Sequence, residues 1–230
     1  MIRIVIADDQ GMVRAGFAAL LSAHADIEVI GQAEDGAQCV ELVADLAPDI
    51  VLMDVRMPLM DGIEATRTIV AANAETRIIM LTTFDIDDYV FDAIRAGASG
   101  FLLKDAPPSE LAEAVRIVAG GEALLAPSVT KRVIEHFATG GQKPNRTALP
   151  ELTDREREIH IQVARLASNT EIAASLHIAV QTVKTHVSRI LFKLDARDRA
   201  QAVIAAYESG LVIPNSCVRA PSSASDPLPE

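Results

Sequence analysis

The chain lacks tryptophan altogether and holds two tyrosines, six phenylalanines and two cysteines among 230 residues. With so few rings its cores must be filled by Ala, Val, Ile and Leu, a composition that fits helix-rich and α/β proteins. Cys39 and Cys217 stand far apart in unlike contexts, which excludes a disulfide framework or a cysteine-based metal module and fits a reducing compartment. Long apolar runs are also missing. The longest, such as IVLM at 50–53, fall well short of the roughly 20 residues that span a bilayer. The opening MIRIVIADD has no basic segment followed by a cleavable apolar stretch, so the expectation is a cytoplasmic protein with no membrane partner.

Positive charge is scarce, but not uniformly. The formal net charge is -11, with 22 acids against 10 bases in residues 1–140 and 8 of each in residues 151–213. The acidity belongs to the first part of the chain. A neutral second part can still bind a polyanion if its bases gather on one face.

Apolar runs that read as strands alternate with helical patterns through the first 125 residues. Arg3–Ala7, Glu28–Gly31, Asp49–Met53, Arg77–Leu81 and Gly100–Leu103 are the strand candidates. Between them Val13, Gly16, Phe17, Leu20 and Leu21 mark one helix face, and Cys39–Val43, Ile63–Val70, Asp88–Ala96 and Glu110–Ala119 give further helical stretches. Strands apolar on both faces and separated by helices predict an α/β fold, a doubly wound five-stranded parallel sheet, with ligands at the carboxyl ends of its strands. The Gly/Pro-rich TGGQKPNRTALP lies within a linker over 126–150. Residues 151–213 form a small all-α domain, and the Pro/Ser-rich 214–230 reads as a disordered tail.

Polar residues cluster where those strands end. Asp8 and Asp9 follow the first strand, Asp54 the third, Thr82 the fourth and Lys104 the fifth. Three carboxylates brought together repel unless a cation sits among them, and oxygen-only ligands suit Mg²⁺. A hydroxyl and an ammonium beside such a metal match the needs of a phosphoryl group. The segments ADDQ, LMDVRMPLMDG, LTTFD and GASGFLLKD resemble the signature segments of response-regulator receiver domains, over residues 1–125. That resemblance implies that Asp54 accepts a phosphoryl group from a phosphohistidine of a sensor histidine kinase. It also implies that Asp9, Asp54 and the backbone carbonyl of Arg56 ligate Mg²⁺, with Asp8 acting through water. Lys104 would pair with the acyl phosphate and Thr82 would swing toward it. Phe101 would change rotamer in step, or else be ordinary core. A haloacid-dehalogenase-type phosphatase would carry a second Asp two residues after its nucleophile, where this chain has Arg56, so an enzyme is not expected.

In the second part, LTDREREI (152–159), SNTEIAASL (168–176), TVKTHVSRIL (182–191) and RDRAQAVIAAYESGLV (197–212) together resemble a LuxR-type helix-turn-helix domain. Receiver followed by this domain is the NarL/FixJ arrangement. Val183, Val187, Ile190, Leu191 and Leu194 form the apolar stripe of the recognition helix. Resemblance then implies that Lys184, Thr185 and Ser188 lie nearest the bases of double-stranded DNA and Thr182, Arg189 and Lys193 nearest its backbone. The last helix would be a dimer contact, giving a homodimer when phosphorylated, and RNA polymerase is a further candidate partner.

Several residues depart from the family's pattern. His160 and Gln162 stand where leucines are usual, so Gln162 is expected in a core slot and His160 at the surface or half-buried. Leu166 replaces a helix-ending Gly, Ala179 a capping Ser, Val180 a first-turn Glu and Asp195 another Gly. A competing expectation follows from these: a receiver that signals through protein contacts beside a helix-turn-helix too unstable to bind DNA.

Overall fold

The computed structural model describes residues 1–72, 75–82, 89–121, 150–165 and 167–212. The sheet is built from β1 (Ile2–Ala7), β2 (Ile27–Ala33), β3 (Ile50–Asp54), β4 (Arg77–Thr82) and β5 (Gly100–Leu103). All neighbours pair in parallel, in the order β2-β1-β3-β4-β5. Between the strands run α1 (Gly11–Ser22), α2 (Gly36–Leu46), α3 (Gly62–Ala72) and α4 (Val90–Ala96), with α5 (Pro108–Ala119) after the sheet. The predicted doubly wound α/β architecture is the observed one.

Strand alternation divides the core in two. Ile4, Ile6, Ile50, Leu52, Ile79 and Leu81 face α1 and α5, meeting Phe17, Leu21, Leu111 and Val115. Val5, Ala7, Val51, Met53, Ile78 and Met80 face the other way onto α2, α3 and α4, meeting Val43, Ile69 and Ile94. Both faces are covered, so the central strands can be continuously apolar and no polar face is needed.

The C-terminal helices are α6 (Asp154–Ala164), α7 (Asn169–Leu176), α8 (Val180–Leu194) and α9 (Arg199–Glu208). Local chemistry starts three of them: Thr153 with Glu156 and Ser168 with Glu171 form capping boxes, and the Asp198 carboxylate accepts from the N–H groups of Ala200 and Gln201. Ile159, Val163, Ile172, Val183, Ile190, Val203 and Tyr207 make one shared core. Its outline agrees with the expected small all-α domain. Most of the predicted linker, Leu166 and the tail lie outside the described residues, as does Cys217.

One face of α9 is not spent on its own domain. Ala200 and Ile204 join the receiver core on the α4 side. Gln201 Nε2 donates to the Ile94 carbonyl at 2.5 Å, Arg197 Nη2 donates to the Thr76 carbonyl at 2.6 Å, and Arg95 pairs with Glu208 at 3.3 Å. Gly97, at φ 111°, ends α4 where any side chain would strike Val70. It thereby lets the Arg197 guanidinium approach.

Candidate phosphoacceptor site and nucleic-acid interface

Register brings the polar strand ends together. Ala7 pairs with Met53, Asp54 with Leu81 and Thr82 with Leu103. The next residues along β1 and β5, Asp8 and Lys104, therefore emerge at the same carboxyl edge as Asp54 and Thr82. Gly62 is required beneath them, because a Cβ there would lie 1.9 Å from the Asp54 carbonyl oxygen. Its N–H instead donates to Val55 at 3.0 Å, seating α3 against the end of β3.

Within this pocket Lys104 Nζ bridges Asp8 at 2.7 Å and Asp54 at 2.8 Å. Asp8 is fully buried, Asp54 is 6% exposed and Asp9 opens to solvent. Burial, above all, pushes the Asp54 carboxyl above its ordinary value, and the charge of Asp8 adds to this, against the pull of Lys104 and the Arg56 N–H. Burial alone would lower the Lys104 ammonium, but the hydrogen bonds and charges of Asp54 and Asp8 outweigh it and hold it above normal. Oxygens of Asp8, Asp9 and Asp54 lie within 4.8 Å of one another. One ammonium among three carboxylates leaves a deficit of positive charge, and the all-oxygen donor set fits a hard divalent cation. The acidic triad is typical of a receiver metal site.

One neighbour, Tyr89, matters beside the predicted set. Arg56 donates from Nη2 to the Tyr89 hydroxyl at 2.9 Å and lies 4.9 Å from the centre of its ring. This ties the loop after β3 to the residue that opens α4. A cation and an aromatic 33 residues apart leave no local signal in a sequence. Phe101 is buried in the α4-side core, as either expectation for it requires.

On α8, Val183 and Ile190 are buried while Thr182, Lys184, Thr185, Ser188 and Arg189 are exposed, as the stripe predicted. The hydroxyls of Thr185 and Ser188 donate back to the Gln181 and Lys184 carbonyls, each at 3.0 Å. Their lone pairs face outward as acceptors. Lys193 is differently placed. Its ammonium donates to Glu156 at 2.6 Å and to the Glu151 carbonyl at 3.2 Å. That bond and the Thr153 N–H pull the Glu156 carboxyl down to about 2. Lys193 thus clamps the end of α8 to the start of α6.

The chain matches the family model "Response regulator receiver domain" over residues 4–116 and that of "Bacterial regulatory proteins, luxR family" over residues 150–206. It is 45% identical to the transcriptional regulatory protein LiaR of Bacillus subtilis, over 92% of this chain and all of that one. The chain belongs to the response-regulator family. This response regulator is also 40% identical to VraR of Staphylococcus aureus, over 92% of its length and 99% of VraR. It superposes on the solved structure of ChrA, a response regulator of a heme-sensing two-component system, with a TM-score of 0.51. That match is 37% identical and spans 92% of this chain and 98% of ChrA. The protein is a transcription regulator with a receiver Asp and a LuxR-type DNA-binding domain, not an enzyme. A receiver implies a histidine kinase partner, and the helix-turn-helix implies DNA.

Two expectations for this response regulator need correction. His160 is neither at the surface nor half-buried: it is fully buried, and its Nε2 meets the Ala202 carbonyl of α9 at 2.8 Å. Gln162 is half-buried rather than in a core slot, because the helix turns it toward the rim. Ala179 indeed leaves α8 without a side-chain cap, and Asp195 adopts the left-handed conformation at φ 52° that ends it. Among the described residues no helix is long and apolar enough to cross a membrane.

Proposed function

We propose that transfer of a phosphoryl group to Asp54 controls how this regulator dimerises and engages DNA in the cytoplasm. The observation that carries the reading is the Lys104 bridge between Asp8 and Asp54 inside an all-oxygen cluster. An Asp54 oxygen attacks the phosphorus of a phosphohistidine on the partner kinase. The O–P bond forms as the N–P bond breaks, the imidazole leaves with the electron pair, and Asp54 becomes an acyl phosphate. Asp9, Asp54 and the Arg56 carbonyl would hold Mg²⁺, with Asp8 acting through water. The metal, when bound, neutralises charge on the equatorial phosphoryl oxygens. Lys104, already 2.8 Å from Asp54, exchanges a carboxylate oxygen for a phosphoryl oxygen, and the Thr82 hydroxyl turns toward the same group.

The new charge reaches α4 through two routes. One is Thr82, at the end of β4, with Phe101 of β5 buried in the core beside α4; the other is the Arg56–Tyr89 contact. Since α4 holds Ala200, Gln201 and Ile204 of α9, its movement loosens that contact and releases the α9 surface for a second copy. In the dimer, Lys184, Thr185 and Ser188 face base edges, while Thr182 and Arg189 face phosphates. Thr185 and Ser188 accept from base amino groups, because their own protons are bonded within the helix. Lys193 reaches a phosphate only at the helix end it already clamps. RNA polymerase then meets the DNA-bound dimer.

The test is a footprint of the full chain on its own upstream DNA, with and without acetyl phosphate, alongside Asp54→Asn. Protection should strengthen with the donor in the wild type only, and Asp54→Asn should abolish labelling. Persistent labelling of the variant sinks the assignment of Asp54.

A further inference from the structure

Phe192 stands on the exposed side of α8 with 88% of its surface open, the most exposed aromatic ring among the described residues. It follows Ser188 by four positions and Thr185 by seven, so the three share one line along the helix. At about 1.5 Å per residue the ring lies about 6 Å beyond Ser188 and about 10 Å beyond Thr185. Thr185, Ser188, Arg189, Phe192 and Lys193 line one shallow depression. The helix is anchored from the opposite side by Val183 and Ile190, so the ring is not needed to hold it. Leaving an aromatic in water is unfavourable unless a partner covers it.

The surroundings say what that partner is. Arg189 sits one turn before Phe192, on a helix with no acid along Val180–Leu194, which fits a polyanion and not an apolar protein surface. In the major groove, the apolar feature that duplex DNA displays is the C5-methyl of thymine. We propose that Phe192 packs against a thymine methyl in each half-site and is a specificity-determining residue. This rests on α8 entering the groove, as proposed above, and adds a base that none of the polar side chains would read.

The test uses the full chain with acetyl phosphate and a random duplex library. On the selected duplex, each dT is replaced in turn by deoxyuridine, which removes the methyl alone. The wild type should lose about fourfold in affinity at one thymine per half-site, the worth of one methyl group taken from water. Phe192→Ser should bind the thymine duplex as weakly as the wild type binds the uracil one, with no sensitivity at that position. Phe192→Leu should retain part of the preference. Because the ring is exposed, both variants should melt like the wild type. Wild-type indifference to every uracil, selected duplexes with no thymine in that place, or unchanged affinity in Phe192→Ser each overturns the proposal. So does a serine variant that self-associates less while keeping its base preferences, since the ring would then contact a second copy. If the wild type selects no sequence at all, the reading of α8 as a groove-binding helix fails, and this inference falls with it.

Discussion

At the carboxyl edge of the sheet, Asp8 and Asp54 are almost sealed from water and share one ammonium between them. On α8, by contrast, Thr182, Lys184, Thr185, Ser188 and Arg189 all stand in solvent. The difference follows from what each region handles. A phosphoryl group arrives alone and must be held by charges strengthened in a poorly solvated pocket, so the acids are packed by strands, Gly62 and Lys104. A DNA groove is wide and wet, so the reading side chains are laid out on a rigid helix and the demands fall on the scaffold beneath. That scaffold is where this chain departs from the resemblance, with a buried histidine and an uncapped recognition helix.

Four substitutions separate the two regions, in descending size of effect. Gly62→Ala would drive a Cβ into the Asp54 carbonyl oxygen and should cost the receiver about 3 kcal/mol or more, visible as a lower melting temperature and lost labelling by acetyl phosphate. Retained stability would mean that the close approach of α3 to β3 is dispensable. Lys184→Ala, on the exposed face, should leave melting unchanged and weaken a specific operator by about 1–3 kcal/mol. An equal loss on random DNA would make it a phosphate contact.

The scaffold variants are smaller. Burial holds the His160 imidazole below its ordinary value. The unfolded chain therefore takes up the proton first, and stability is intact above about pH 6.5 and lost as pH falls below it. His160→Leu should stabilise the C-terminal helices by about 1 kcal/mol or somewhat more at pH 7, by removing a buried ring nitrogen, Nδ1, that has no partner among the described residues. The gain should be larger at pH 5.5, where leucine has nothing to protonate; equal gains in melts at the two pH values would exonerate His160. Lys193→Ala should cost about 1 kcal/mol by leaving the buried Glu156 carboxylate without its ammonium. If the salt dependence of DNA binding instead falls by about one phosphate contact, Lys193 acts on DNA more than on the fold.

Much of this was legible beforehand. Strands such as IVLM at 50–53 read correctly because a parallel strand buried on both faces is simply a continuous apolar run. Asp8, Asp54, Thr82 and Lys104 were recognisable because parallel topology sends every strand end to one edge. The α8 stripe was legible because Val183 and Ile190 obey a helical period. Ala200 and Ile204 were not. Periodicity marks them as buried without naming the element that buries them, and that element is the receiver's α4. His160 was misread because residue type suggests polarity while its helical slot points inward toward Ala202.

Whatever depends on neighbours within a turn of chain was already written in the residues: the capping boxes at Thr153 and Ser168, the missing cap at Ala179, the helix and strand periods, and the acids that end the strands. Tertiary structure alone decided the pairings across long stretches. It chose the carboxylates that Lys104 bridges, turned Lys193 toward Glu156 and set α9 against α4. The reason is one of range. Caps and periodicities are set by contacts three or four residues apart, whereas a salt bridge or a domain contact exists only once distant faces have docked.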